Sequence, residues 1–516
     1  MTGHTRTVLR DVGVTLQIPG VMALVSVPVA LASAEHFAVW PLLVTAAVSL
    51  CIGQTLYRVF RTAGPMGVSH AMVTALLTWT LVPLVGALPF VLITSRLAGN
   101  GVDAHALALS EWWNAVFESM SGFTSTGLSM AVRPDQLPHA LQWWRSFSQW
   151  VGGVGIIVLT LSVFHPSKDA RRLYFAESGQ DIPTADITST AKGIWQIYVA
   201  YTLAGIVGLR LTGLTWWQAL NYGMAGIATG GFGLESASMG SFGRASQLVM
   251  LVIIVCGAIS FSVHRRLLVH AQHAAVWRDT ETRTLGVVLA VGAMLLVLEN
   301  RWTGIAVSGL DSVFQWSSAL ATAGFSTVPV QPWSASAKLL LCLAMTCGGA
   351  AGATTGGLRL GRVVRLVQGA VDRIVGVARH PWRLLEHKPV ADPAAEHHAA
   401  RQLEAAVTML LLWAMATLGG TLLLLHAVGP EAHLDDVLFE VSSALNNVGL
   451  TTGITSPELA ASGKLGLILL MLLGRLEIVP VLVLGALIWS SLPPSLTTVK
   501  ALRGPRPRNH EMMDLR

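Results

Sequence analysis

The sequence predicts an all-α membrane protein with pseudo-fourfold repeats around one central pore. Each repeat is a span, a short pore helix, a filter loop and a second span, and two extra spans precede the first repeat. Three observations predict this fold. The first is composition: of 516 residues, 53% are hydrophobic and 12% charged, with mean hydropathy +0.59, whereas soluble domains carry about 25% charged residues. The second is an internal repeat, the feature that decides architecture before any other. FESMSGFTSTGL (117–128), NYGMAGIATGGF (221–232), FQWSSALATAGF (314–325) and FEVSSALNNVGL (439–450) align without a gap and bring Gly127, Gly231, Gly324 and Gly449 into register. The third is that each copy sits between two apolar stretches that approach the roughly 17–25 residues a bilayer requires.

Taken in order, the extra spans fall near 12–34 and 37–60. The repeats supply 67–93 and 146–164, 194–211 and 248–263, 285–298 and 337–347 with its continuation, and 406–426 and 465–490, ten spans in all. Domain boundaries follow: the extra spans at 1–62, pore repeats at 63–165, 166–264, 265–366 and 402–492, a cytosolic linker at 367–401 and a basic tail at 493–516. Arg6 and Arg10, an apolar run and the Ala-Leu-Ala-Ser-Ala at 30–34 have the look of a cleavable leader. The run is long for that role, and cleavage would invert the topology that charge favours, so it is read as a retained span.

Most of the 34 basic residues fall in loops on one side, among them Arg58, Arg61, Lys168, Arg171, Arg265, Arg266, Arg278 and those between 359 and 401. The positive-inside rule then places both termini in the cytoplasm. It also accounts for the pI of about 9.4 without nucleic acid. The 17 tryptophans against 5 tyrosines suit anchoring at headgroup level. Cys51, Cys256, Cys342 and Cys347 lie in or at the ends of spans with no metal-type spacing and read as packing residues.

Within each copy the first half reads as a helix of about a dozen residues, too short to cross. Ser110-Glu111, Asp311 and Asp435-Asp436 stand at three of the openings, where caps and acids suit a helix N-terminus. Each helix therefore dips in from outside and returns as a loop, which survives at membrane depth only where protein buries it or water lines it. The returning residues are Thr124, Ser125, Thr126 and Gly127; Ala228, Thr229, Gly230 and Gly231; Ala321, Thr322, Ala323 and Gly324; and Asn446, Asn447, Val448 and Gly449. None is charged, so the lining offers backbone carbonyls, which can replace the water around a monovalent cation. A divalent-selective pore would carry a ring of carboxylates instead. One such segment alone would read as small-residue helix packing; four in register read as a filter.

Two features lie further along the path. Gly348, Gly349, Gly352, Thr354, Thr355, Gly356 and Gly357 interrupt the second span of the third repeat, poor material for a continuous helix and well placed to gate. The bland reading is a kinked packing helix. Arg475 lies in the last span, where a charge by default faces a cavity or a partner. Glu440 and Glu477 are the candidate partners if its role is structural. Otherwise it is a positive barrier beneath the filter, with about ten residues of span still to follow.

MSGFTSTGLS (120–129), QWVGGVGIIVL (149–159), GGAAGATTGGLRLGRV (348–363) and LLGRLE (472–477) together resemble the Trk/Ktr/HKT superfamily of potassium transporters, most closely its bacterial TrkH-type subunit. The likeness spans nearly the whole chain. It implies potassium as the transported ion with no covalently bound cofactor, a homodimer embedded in a bacterial inner membrane, and a cytosolic nucleotide-binding regulatory ring (TrkA-like) on the inner face. It also implies that Gly127 is of the potassium type, that 348–357 is the gating loop and that Arg475 is the basic barrier. Asn446-Asn447 and Pro480 depart from the family pattern.

Rival classes are a sodium- or proton-coupled symporter of the same superfamily, an unrelated broken-helix transporter and an intramembrane enzyme. The broken-helix transporter predicts inverted repeats, and these run parallel. The enzyme needs a nucleophile with a base or a metal cluster, and the pore segments hold no histidine. His264 and His270, beside Arg265 and Arg266, read as solvated inner-loop residues. The run at 348–357 lacks the Gly-Lys-Ser/Thr ending of a phosphate-binding loop.

Overall fold

The computed structural model describes residues 3–64, 67–97, 107–155, 187–269, 271–379 and 393–491, and among these no strand occurs. Helices α1 (Gly3–Thr15) and α2 (Gln17–Ala32) run on through Leu16 as one apolar stretch, and α3 (His36–Val59) folds back along α2. The turn between α2 and α3 has a structural task. The Glu35 carboxylate accepts from the backbone N–H groups of His139 (2.7 Å) and Ala140 (2.8 Å). Those are two of the orphan donors at the start of a helix of the first repeat, so a negative charge caps it where the dipole favours one.

Repeat 1 comprises α4 (Val68–Gly86) and α5 (Leu88–Leu97), pore helix α6 (Trp112–Phe123) and α7 (His139–Val154). Repeat 2 comprises α8 (Ile187–Leu211), pore helix α9 (Trp216–Ile227), α10 (Arg244–Ala258) and α11 (Phe261–Leu268). A short link, α12 (Ala274–Arg278), leads to repeat 3: α13 (Thr280–Trp302), pore helix α14 (Gly309–Leu320), α15 (Ala335–Cys347) and α16 (Leu360–Arg379). Repeat 4 comprises α17 (Pro393–Val428), pore helix α18 (Leu434–Leu445), α19 (Ala461–Arg475) and α20 (Val479–Ser491). All four pore helices are 12 residues long.

Three of the four starts are fastened individually, while the side chain of Glu111 makes no cap hydrogen bond on α6. Thr215 and Gln218 form a reciprocal capping box on α9, and the Ser308 hydroxyl accepts from the Asp311 N–H on α14. Arg244 donates to the Asp311 carboxylate and holds its pKa down to about 2. On α18, Asp435 and Asp436 are both paired with Lys338 of α15.

Two spans that hydropathy draws as continuous are broken. α10 and α11 meet at 105°, and α19 and α20 at 109°. At the first break, Ser260 caps α11 through the Ser262 N–H. At the second, Glu477 and Ile478 adopt φ of +55° and +64°, left-handed values that end a helix at once. Pro480 is the second residue of α20, a position where its missing N–H costs nothing. The proline thus opens a new helix and does not kink the old one. The span drawn at 146–164 begins earlier, at His139, and its part beyond residue 155 lies outside the described residues, as do the basic segments at 156–186, 380–392 and after 491, and His270. Among the described residues six helices are long and apolar enough to cross a membrane, or eight if each bent pair counts as one span.

The packing closes in chain order. The second span of each repeat lies against the pore helix of the next: α7 on α9, α10 on α14, α15 on α18, and α19 on α6. The last contact joins repeat 4 back to repeat 1. Parallel repeats can be joined head to tail in this way until the ring is complete.

Candidate functional site

The centre of the ring is made by the four returning loops. Each pore helix ends four residues before its glycine, at Phe123, Ile227, Leu320 and Leu445. Two residues later the backbone turns left-handed at Ser125 (φ 55°), Thr229 (48°), Thr322 (47°) and Asn447 (52°). It does so again at Gly127 (94°), Gly231 (82°), Gly324 (74°) and Gly449 (99°). A positive φ at β-branched threonine is a genuine outlier, so the loops of repeats 2 and 3 store strain.

The same hydrogen bond holds each loop. The N–H before the glycine donates to the carbonyl five residues upstream: Thr126 to Ser121 (2.8 Å), Gly230 to Ala225 (2.9 Å), Ala323 to Ser318 (2.8 Å) and Val448 to Ser443 (2.9 Å). In repeats 1 and 4 the glycine N–H also donates to the hydroxyl of Ser121 or Ser443.

Space demands glycine as much as conformation does. A Cβ on Gly127 would stand 2.3 Å from the Gly230 carbonyl oxygen, and one on Gly231 2.8 Å from that of Ala323. On Gly324 it would meet Val448 at 2.2 Å, and on Gly449 it would meet Thr126 at 2.3 Å. Each glycine abuts the carbonyl of the next repeat, and the fourth returns to the first. Gln149 of α7 braces one joint, donating to the Gly230 carbonyl and accepting from the Phe232 N–H.

The two asparagines that depart from the small-residue pattern are spent in the wall. Asn446 accepts from the Trp413 indole (2.8 Å) and donates to the Ser442 carbonyl (2.7 Å). Asn447 donates to the Thr126 hydroxyl and the Met471 carbonyl, both at 2.9 Å, tying repeat 4 to repeat 1. Ala228, Ala321, Ala323 and Val448 are fully buried, and Thr124 shares a hydrogen bond with Thr126 (2.7 Å).

A second ring lies behind the first, and sequence reasoning missed it. Nine residues before each glycine stand Glu118, Tyr222, Gln315 and Glu440. Each clamps the irregular segment that leaves its filter loop. Glu118 accepts from the Met130 N–H (2.7 Å) and Ser129, while the Tyr222 hydroxyl accepts from the N–H groups of Leu234 and Glu235. Gln315 donates to the Val328 carbonyl (3.0 Å), and Glu440 accepts from Thr451, the Thr452 N–H and Thr455. A polar residue at one register of four apolar helices was the signal that could have found them.

The two acids differ. Glu118, 0% exposed, pairs with Arg145, 2% exposed, at 2.7 Å. Arg145 also donates to the Gly233 carbonyl (2.8 Å) and lies over the Phe232 ring. Above the filter a vestibule of about 780 Å³ opens, and all four glycines reach it.

Below the filter, residues 348–359 form an ordered non-helical loop between α15 and α16, with Gly348, Gly352 and Gly357 at φ between +66° and +80°. The loop is bonded to the undersides of two repeats. The Gly356 N–H donates to the Thr322 hydroxyl (2.9 Å), and Thr354 reaches the Ile227 and Gly257 carbonyls and the Thr229 hydroxyl. A Cβ on Gly356 would meet the Asn446 carbonyl at 2.3 Å, so the loop lies directly against repeat 4 as well. Glu281 of α13 accepts from the Ala351 N–H (2.7 Å), and the Phe261 N–H donates to Gly352 (3.0 Å). Gly349 packs on Thr355. A cavity of only about 70 Å³ remains, lined in part by Thr355, Gly356, Asn447 and Arg475.

Arg475 is the last residue of α19, at the break, so no ten-residue span follows it. Its guanidinium donates to the Gly152 carbonyl and lies over the Trp79 ring, 4.8 Å from the centroid. Neither acid suggested as its partner pairs with it among the described residues. Glu477 pairs with Arg359 (2.8 Å) and Arg362, and Glu440 is engaged by its threonines. His264 is also corrected: it is buried, bonded to the Tyr201 hydroxyl (2.8 Å) and the Cys256 carbonyl (2.9 Å), and braces the bend between α10 and α11. The neighbouring arginines suggested a solvated loop, and the bend that turns the ring inward is invisible in sequence.

A family model described as TrkH, cation transport protein, matches residues 43–491. An uncharacterized cation transporter of Methanocaldococcus jannaschii is 31% identical over 422 residues, 81% of this chain and 83% of that one. The Trk system potassium uptake protein TrkH of Escherichia coli K12 is 29% identical over 504 residues, covering 93% and 98%. The crystal structure of the potassium transporter TrkH from Vibrio parahaemolyticus superposes with a TM-score of 0.78 at 28% identity, over 94% of this chain and 98% of that one.

Proposed function

The chain belongs to the TrkH family of cation transport proteins, and from that premise we propose that it takes up potassium ions through a selective, gated pore. The observation that carries the proposal is the closed ring of four left-handed glycines between an open vestibule and a narrow inner cavity. Potassium is the substrate, and backbone carbonyls of the four loops stand in for its water. Uncharged loops favour a monovalent ion, because a divalent ion needs formal negative charge around it.

The loop at 348–359 is the gate, and the arrangement described is a closed one: the loop is bonded to the undersides of repeats 2 and 3 and pressed on repeat 4. Arg475 sets the electrostatic barrier beside it. It lines the inner cavity, donates to the Gly152 carbonyl and lies over the Trp79 ring, so its positive charge stands close to the path of a cation.

The basic inner face docks a cytosolic nucleotide-binding ring, both termini lie on that side, and the protein works as a homodimer. The test is rubidium uptake into liposomes holding the purified protein, with potassium or sodium as competitor. Potassium is expected to compete and sodium to compete poorly; equal competition overturns the selective pore. Repeating the assay across an imposed proton gradient distinguishes a channel, whose flux follows only the rubidium gradient and voltage, from a coupled carrier.

A further inference from the structure

We propose that the vestibule-side end of α8 carries a binding site for a membrane phospholipid, with Arg210 and Trp216 holding the phosphate and the apolar face of α8 holding one acyl chain. Arg210 stands one residue before the end of α8, and Trp216 opens α9. The guanidinium lies over the Trp216 ring, 5.4 Å from its centroid. Together with Val207, Leu211 and Gly213 they line a recess of about 420 Å³. Pore helix α9 enters from the vestibule side, so the recess lies at the level of that surface.

Three observations point to a ligand. The Arg210 Nε is buried from solvent and has no hydrogen-bond partner. Among the described residues no carboxylate forms an ion pair with Arg210. A buried donor left unmatched is costly, and a guanidinium offers a planar fork shaped for two phosphate oxygens. Third, the surface below the recess is apolar and unpartnered: Leu203, Val207 and Leu211, spaced on one face of α8, are 57%, 51% and 81% exposed. From Arg210 down to Leu203 the helix descends about 10 Å, the depth from headgroup into hydrocarbon. Trp216, 64% exposed, has the amphipathic ring that sits at that boundary. Phosphate above and a chain below is the shape of one phospholipid.

The experiment is native mass spectrometry of the full chain released from mixed micelles containing dioleoyl phosphatidylglycerol or, in parallel, dioleoylglycerol, which has the chains without the phosphate. The wild type is expected to retain phosphatidylglycerol and not dioleoylglycerol. Arg210→Gln should retain about tenfold less, as expected for loss of charge-assisted bonds, and Arg210→Lys an intermediate amount. Arg301→Gln, at the exposed vestibule-side end of α13, should retain as much as wild type. A size-exclusion profile matching wild type shows that each variant is folded. Inorganic phosphate at millimolar concentration should not displace the lipid; displacement would make the site one for free phosphate and overturn the lipid assignment. Equal retention by Arg210→Gln and wild type, or an equal loss in Arg301→Gln, also overturns it.

Discussion

At the scale of single residues, conformation and space act together on the filter glycines. Gly127 stands at φ +94° with a neighbouring carbonyl 2.3 Å from where a Cβ would be. The left-handed region costs an L-residue about 1–2 kcal/mol, and the clash pushes on the joint with repeat 2. Gly127→Ser is expected to reduce potassium-over-sodium discrimination about tenfold, the factor that ~1.4 kcal/mol commands. Rubidium uptake with sodium competition measures this, and Gly231→Ser should behave alike because the ring is continuous. The Glu118–Arg145 pair behaves differently, since both groups are buried. Arg145→Met strands a carboxylate and should cost about 3–5 kcal/mol. Adding Glu118→Gln should recover part of that loss in thermal unfolding, because the stranded charge is then gone. Arg475→Gln should raise cation flux, since a positive charge near the path is removed. Lower flux with loss of folded protein would instead give Arg475 a structural role.

At the scale of elements, the gating proposed for the loop at 348–359 requires that the loop move while its neighbours stay folded. Its fastenings are individually modest hydrogen bonds, each worth about 0.5–1.5 kcal/mol. Thr354 makes three of them, to Thr229, Ile227 and Gly257. Thr354→Val should therefore raise basal flux mildly, and deletion of about half of residues 348–357 should raise it strongly. A folded deletion variant that leaks no more than wild type would make the loop a packing element. The breaks at 260 and 477 belong to the same scale: α11 donates to the loop through Phe261, and Glu477 holds Arg359 at its end. Straight helices there would remove both supports.

At the scale of the whole molecule, the ring closes because each second span packs on the next pore helix and the last returns to the first. The filter is therefore a property of four repeats at once, and no one repeat can form it. The loop at 348–359, the proposed gate, faces the side to which charge assigns the basic loops, so control from outside the chain is expected there. A ring-forming, nucleotide-binding protein should co-purify from native membranes at low salt and dissociate as salt screens the contact. Nucleotide-dependent rubidium flux from this chain alone would reject that partner.

The sequence by itself determined the repeats, the register of the four glycines and the segment between α15 and α16, because each is written as a local pattern of residue types. Gly127, Gly231, Gly324 and Gly449 were legible since steric demand leaves only one residue type at those positions. The hydroxyl and amide side chains of Thr229, Thr322 and Asn447 were legible as loop residues, but not their left-handed backbone. That follows from the way each pore helix ends: the N–H of the left-handed residue donates three residues upstream and the next N–H five upstream, a helix end that glycine or asparagine usually occupies. The clamps at Glu118, Tyr222, Gln315 and Glu440 share a register but not a chemistry, and only the fold shows that they perform one task. The breaks between α10 and α11 and between α19 and α20, the burial of His264, and the company of Arg475 were decided by tertiary structure alone. Hydropathy averages over a window longer than a break of two or three residues, and the partners of these residues lie far away in the chain: Gly152 for Arg475, Tyr201 for His264.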